Sequence, residues 1–143
     1  MYGEKTMIKI NEIMFYGRYY DSDKQSYNNY WWFDKADEKV FSVKEIMQLF
    51  NYESEDEIFE IGSFIPLFKV DILNLEKAFI KDLNNKEISK KFKDKDGEAL
   101  NISFLEYIER EPLIEDLWFD YERKHLSSQA ENWCKENHIP YKI

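Results

Sequence analysis

From Pro112 onward the polar and apolar positions keep a helical period. Trp118, Glu122, Leu126, Ala130, Trp133 and Asn137 fall at spacings of four or three. That progression lays Trp118, Leu126, Ala130 and Trp133 on one side of a helix, with Leu117, Tyr121 and Cys134 beside it. Pro112 sits where a first-turn proline is tolerated, and Glu115 and Asp116 follow where free N–H groups favour acid. The stretch from Glu111 to Ile143 holds two of the four Trp, the only Cys and both His. A helix this long exposes its aromatic stripe unless something covers it, so the first 110 residues must supply the body it packs against.

The preceding residues read as strands first and helices afterwards. Met7-Ile8-Lys9-Ile10 alternates, as an edge strand or a helix start does, and Met7 offers itself as an alternative first residue. Ile13 to Tyr20 is rich in Tyr, Phe and Met, and Asp21-Ser22-Asp23-Lys24 breaks it as a polar turn. Tyr27 to Phe33 (YNNYWWF) is dense in bulky aromatics and predicts a strand. Asp34 to Glu38 turns the chain and Lys39 to Val43 returns, a hairpin without Asn-Gly or Asp-Gly at its tip. Ser42 and Glu45 form a capping-box pattern that opens a helix over Val43 to Phe50. Ile61 to Leu67 predicts a strand ending at Pro66, and a proline there places it at an edge or terminus.

Asp71 predicts the cap of a helix with Ile72, Leu75, Phe79 and Leu83 on its apolar stripe and Asn84-Asn85 at its end. Glu87 to Phe92 reads as a short helical turn and Asp94 to Gly97 as a loop. Asn101 to Glu109 predicts a helix with Ile102, Leu105 and Ile108 inward. Asn137-His138 ends the long helix, and Ile139, Tyr141 and Ile143 alternate in a tail able to rejoin a sheet or dock on a partner. The expected architecture is α+β: a small, mostly antiparallel sheet with an N-terminal aromatic hairpin, packed against several helices. Residues 1–143 then form a single acidic domain.

Composition narrows the function classes. The chain carries 20 basic and 29 acidic residues, a formal charge of −9. Free nucleic acid and anionic membranes are poor partners for that balance, whereas a basic protein is a good one. Aromatic residues reach 17%, too many for one core, so some belong at a rim, groove or partner surface. Four glycines leave little material for a phosphate-cradling loop. One cysteine excludes an internal disulfide and suits a reducing compartment. No basic-then-apolar leader opens the chain, and no apolar run approaches the ~20 residues that span a bilayer. The expected location is the cytoplasm.

The aromatic strand running into an Asp-led turn (Tyr30-Trp31-Trp32-Phe33-Asp34 through Glu38-Lys39-Val40), Phe64-Ile65-Pro66-Leu67 and Leu75-Glu76-Lys77-Ala78-Phe79-Ile80 form a pattern. The Phe104/Tyr107 step, Leu113 through Glu122, Ala130-Glu131-Asn132-Trp133-Cys134 and Ile139-Pro140-Tyr141 continue it. Across residues 27–143 the chain resembles an uncharacterised family of small acidic bacterial proteins with no assigned function. Two positions depart from it. Leu105-Glu106-Tyr107-Ile108 replaces a basic stretch, which counts against a phosphate-facing role there, and His138 stands where a glycine is usual. The resemblance implies an autonomous fold and names no catalytic residue.

The sequence offers no catalytic residue, cofactor motif or metal site of recognised spacing. His138 and Cys134 are four apart, but zinc needs three or four ligands and only Glu131 is near in sequence. The carboxylates Glu115, Asp116, Asp120 and Glu131 and the Glu53 to Glu60 run suit a hydrolase only if a cleft turns two of them toward each other. A pocket gathering Asp120, Glu131 or His125 would be its sign. Seven lysines fall between Lys77 and Lys95, with Phe79 and Phe92 among them, and offer a weak nucleic-acid surface as an alternative. The leading expectation is a non-enzymatic regulator or inhibitor that binds another protein, with a basic nucleic-acid-binding protein as its sharpest form. Tyr30, Trp31 and Trp32 of the hairpin and Glu53, Glu55, Asp56 and Glu57 of the acidic run beside it are the expected contact residues.

Overall fold

The computed structural model describes residues 7–19, 31–51, 56–59 and 63–143. It is an α+β fold. β1 (Ile8–Lys9), α1 (Ile10–Ile13), a 3-10 turn (Met14–Gly17) and β2 (Arg18–Tyr19) open it. β3 (Trp31–Asp34), β4 (Lys39–Ser42), α2 (Val43–Phe50), α3 (Asp56–Phe59), β5 (Phe64–Pro66) and β6 (Val70–Asp71) follow. α4 (Ile72–Leu83), α5 (Lys86–Phe92), α6 (Gly97–Arg110), α7 (Pro112–Glu136) and β7 (Tyr141–Lys142) complete it. Tyr27 to Tyr30, the polar turn at 21–24, and residues 53, 55 and 60 of the acidic run lie outside the described residues.

β3 is the centre of a three-stranded antiparallel sheet, ordered β4-β3-β5. The aromatic hairpin is thus present, with Trp32 opposite Phe41 and Phe33 opposite Val40. β5 ends at Pro66 on the outer edge of that sheet, where a missing N–H removes no ladder bond. The tail rejoins a strand as its alternation suggested. Its partner is β1, in a separate parallel pair with Ile8 opposite Tyr141, and Ile143 is left exposed. A second parallel pair joins β2 to β6, with Arg18 opposite Val70 and Tyr19 opposite Asp71.

Local chemistry sets the helix starts. Ser42 Oγ accepts from Glu45 N at 3.1 Å while Glu45 Oε1 accepts from Ser42 N at 3.0 Å, a complete capping box. Asp71 Oδ1 accepts from Leu73 N at 2.9 Å and opens α4. Asn84, in the left-handed region at φ 49, closes it.

The long helix crosses two cores. Trp118 packs with Phe79, Phe104, Leu100 and Ile108 in one. Leu126, Ala130, Trp133 and Cys134 pack with Ile10, Ile13, Phe33 and Leu67 in the other. Trp133 Nε1 also donates to Pro66 O at 3.0 Å, which ties the helix to the edge of the sheet. A third cluster, Trp32, Ile46, Ile58 and Phe64, lies beneath α2 and α3.

Two expected faces are corrected. Ile102 and Leu105 of α6 are 48% and 39% exposed; Ile108 is buried as expected, and Leu100 and Phe104 join it in place of the other two. The helix begins at Gly97, where Asp96 Oδ1 accepts from Gly97 N at 2.8 Å. The row at i, i+4, i+8 that runs from Leu100 packs on Phe79, Phe92 and Trp118. Leu117, expected beside the stripe of α7, is instead half exposed.

The ring centroid of Phe104 lies 5.0 Å from that of Trp118, 6.0 Å from Phe79 and 6.1 Å from Phe92. Phe104→Ala is expected to cost about 3–5 kcal/mol in urea unfolding. Ile102→Ser, two residues earlier, is expected to stay within about 0.5 kcal/mol. Equal losses would contradict this assignment of the buried face.

Candidate functional site

Of the seven contact residues expected on and beside the hairpin, Trp31, Trp32 and Glu57 have described side chains. Tyr30, Glu53, Glu55 and the side chain of Asp56 fall outside the described residues. Trp32 is fully buried with Ile46, Ile58 and Phe64, so it is a core residue with no ring face left for a partner. The pleat explains this: successive strand residues point to opposite faces, and here both faces are covered. Trp32 turns toward α2 and α3, while Phe33 turns toward Trp133, with ring centroids 5.5 Å apart. Trp31 is half buried edge-on to Tyr16, at 4.7 Å between centroids, and Glu57 is half buried.

The residues considered for catalysis are also kept apart. Asp120, His125 and Glu131 all lie on α7. Eleven residues of helix put Asp120 and Glu131 about 16 Å apart along the axis, beyond the span of a carboxylate pair acting on one bond. Asp120 is paired with Lys124 at 3.0 Å, and His125 Nδ1 lies 3.2 Å from Tyr121 O. Cys134 is fully buried, and burial pushes its thiol up to about 11, which keeps it from acting as a thiolate. His138 is exposed beyond the helix end, in the left-handed region at φ 57. Among the described residues, no three His, Cys, Asp or Glu side chains are grouped to hold a metal ion.

Helical period gives α4 two useful flanks. Phe79, Asp82 and Leu83 face one way, and meet Leu117, Asp120, Tyr121 and Lys124 of α7 around a groove of about 210 Å³. Its walls are apolar, and its rim carries Asp82 and Asp120 against Lys124, which pairs with Asp120, so it is acidic by one charge. Tyr121 Oη donates to Asp82 Oδ2 at 2.9 Å. Partial burial, and then Asp82 beside it, raise the phenol pKa, so the hydroxyl stays a donor. Leu113, at 80% the most exposed large apolar side chain of α7, lies one turn before Leu117, and Asp116 is between them. On the other flank, Lys77, Ile80, Lys81 and Asn84 line a separate cleft with α5 and the start of α6. The lysine run is therefore partly gathered into a concavity.

A third feature escaped the sequence reading. Glu76 of α4 and Glu122 of α7 are 0% and 3% exposed, between apolar neighbours on both helices. Arg18 Nε lies 3.3 Å from Glu122 Oε2, an ion pair short of hydrogen-bond geometry. Neither oxygen of Glu76 has a hydrogen-bond partner among the described residues. Burial first, then Glu122 and Asp71, push the Glu76 carboxyl from its ordinary 4.5 to about 8, and Arg18 opposes them only in part. Burial also raises the Glu122 carboxyl, again against Arg18. The signal was available: Glu76 falls on the Ile72-Leu75-Phe79 stripe and Glu122 on the Trp118-Leu126 stripe.

Among the described residues no helix is long and apolar enough to cross a membrane. No family model, curated protein or solved structure matches the chain.

The raised pKa of Glu76 makes stability depend on pH. Its carboxyl is neutral when folded and ionised when unfolded between about 4.5 and about 8, so the folded state binds the extra proton. Stability is fully present below about 4.5 and is lost as pH rises through about 8. At ~1.4 kcal/mol per pH unit, the whole window is worth several kcal/mol. Glu76→Gln keeps the shape and removes the ionisation. Denaturation curves of this variant are expected to flatten across that window, while those of the wild type fall. Parallel pH dependence in the two proteins would remove Glu76 as the cause.

Proposed function

We propose that this protein is a non-enzymatic binding protein that takes up a basic partner protein in the groove between α4 and α7. The observation that carries this reading is the combination of an apolar floor and an acidic rim. Leu83, Leu117 and Tyr121 line the floor, and Asp82 and Asp120 border it, with Lys124 paired to Asp120 so that one acid stays unbalanced by a cation of the rim. Leu113 and Asp116 extend the same helix face by a turn. An amphipathic helix with apolar anchors and Lys or Arg beside them fits such a groove in both shape period and charge. The chain's charge of −9 adds long-range attraction for the same class of partner.

On this reading the acidic, apolar binding face lies on α7 rather than on the hairpin. A regulator or inhibitor of a basic, nucleic-acid-binding protein is its most specific form, with the cytoplasm as its proposed location. A hydrolase would need two facing carboxylates in an open cleft, and the buried Glu76 and Glu122 line none of the clefts described. Leu117→Glu inserts a charge into the floor at a position already half exposed, so folding should survive.

Titration with a synthetic amphipathic helix carrying one leucine face and one lysine-arginine face is expected to show salt-sensitive binding. Leu117→Glu is expected to weaken it at least about tenfold, and reversing the charge of Asp120 is expected to weaken it less. Equal affinity for wild type and Leu117→Glu would rule out the groove.

A further inference from the structure

The open cleft on the opposite flank of α4 spans about 650 Å³ between α4, α5 and the loop leading into α6. That volume suits a small organic ligand. Its lining separates into a charged rim and an apolar floor. Ile80, Phe92 and Leu100 form the floor and are 8%, 4% and 1% exposed. Four of the seven lysines line the rim: Lys77, Lys81, Lys93 and Lys95.

Counting partners shows which charges remain available. Lys77 Nζ lies 2.7 Å from Asp96 Oδ1, so that pair is largely neutralised. Lys95 Nζ donates to Ser103 Oγ at 3.0 Å, a neutral partner that leaves its charge unbalanced. Lys81 and Lys93 have no carboxylate within ion-pair distance among the described residues. Three cations thus stand against the remaining acid of the lining, Asp94. A surplus of positive charge in a concavity with low-dielectric walls concentrates anions, and it does so here within an otherwise acidic chain.

The rings decide between a nucleic-acid strand and a small ligand. Strand binding without sequence preference needs exposed aromatic faces for successive bases. Phe92 is buried in the floor, and Phe79 lies on the other flank beneath Trp118 and Tyr121. A single ring in the cleft gives no row of platforms for successive bases, though it leaves apolar lining for one small ligand.

We infer that this cleft binds a small organic phosphate of about nucleotide size, with its phosphates on Lys81, Lys93 and Lys95 and its organic part over Ile80, Phe92 and Leu100. Lysine serves phosphate as a point charge and needs no fixed fork geometry. Asn84 and Ser89, also in the lining, supply neutral hydrogen-bonding groups. Asp94 disfavours a ligand of dense negative charge and no apolar part, such as inorganic triphosphate. The cleft lies away from the α4–α7 groove, so this site and the protein-binding site stand or fall separately.

The test is calorimetric titration with adenosine triphosphate, inorganic triphosphate, adenosine and a short single-stranded RNA at low salt, without added metal. Adenosine triphosphate is expected to bind best, inorganic triphosphate more weakly, adenosine not measurably, and the RNA no more tightly than the mononucleotide. The double variant Lys81→Glu, Lys93→Glu is expected to lose at least about tenfold in affinity. Lysine acetylation mapped on the wild type, with and without adenosine triphosphate, should show protection at Lys81, Lys93 and Lys95 and needs no variant. No binding of either phosphate, tighter binding of RNA, or protection confined to other lysines would overturn the inference.

Discussion

Glu122 sits between Trp118 and Leu126 on α7, where a carboxylate must be buried because the helix runs unbroken from one apolar core into the other. Trp118 and Leu126 are both fully buried, so the residue midway between them on the same face cannot reach open water. The fold answers with Arg18, brought to that place by the pairing of β2 with β6. The guanidinium pairs with Glu122, and the second buried carboxyl, Glu76, is pushed by burial up to about 8 with Arg18 opposing only in part. Removing Arg18 would leave Glu122 buried and uncompensated, a larger loss than the ion pair itself contributes.

This packing also fixes the surface of α4. Phe79 meets Trp118 and Tyr121 at centroid distances of 5.3 and 5.2 Å, which locks the rotation of α4 against α7. With that face committed, the helical period decides the rest. Asp82 and Leu83 are left beside α7, while Lys77, Lys81 and Asn84 are turned toward α5. A single helix therefore separates an apolar groove with an acidic rim from a cleft with a basic rim. Neither surface depends on the net charge of the chain; both depend on which residues stand at positions three and four apart.

Features that rest on local chemistry were legible in the sequence. The Ser42–Glu45 capping box, the Asp71 cap, the Asn84 terminus and the edge position of Pro66 each follow from one residue's hydrogen-bonding or backbone preference. The stripe of α7 follows from period alone. What the sequence concealed depends on contacts between distant segments. The start of α6 at Asp96-Gly97 looked like a loop, and which row of α6 turns inward is set by its packing on Phe79, Phe92 and Trp118, which no local rule shows. The hairpin aromatics looked available because no local rule says that α2 covers one face of β3 and Trp133 the other. Leu117 looked internal until α4 took its place against Trp118. Glu76 and Glu122 broke apolar stripes in plain view, yet the pairing of Glu122 with Arg18 depends on the distant β2–β6 contact.

Perturbation mapping by amide NMR, with a basic amphipathic helix and adenosine triphosphate added in turn to the same sample, tests most directly whether α4 divides two independent binding surfaces. The peptide is predicted to shift Leu83, Leu117 and Tyr121, the nucleotide to shift Lys81, Asn84, Ser89 and Lys93, and the second ligand to add its set without reversing the first. Both ligands moving one common set of residues, or competing for it, would contradict the division.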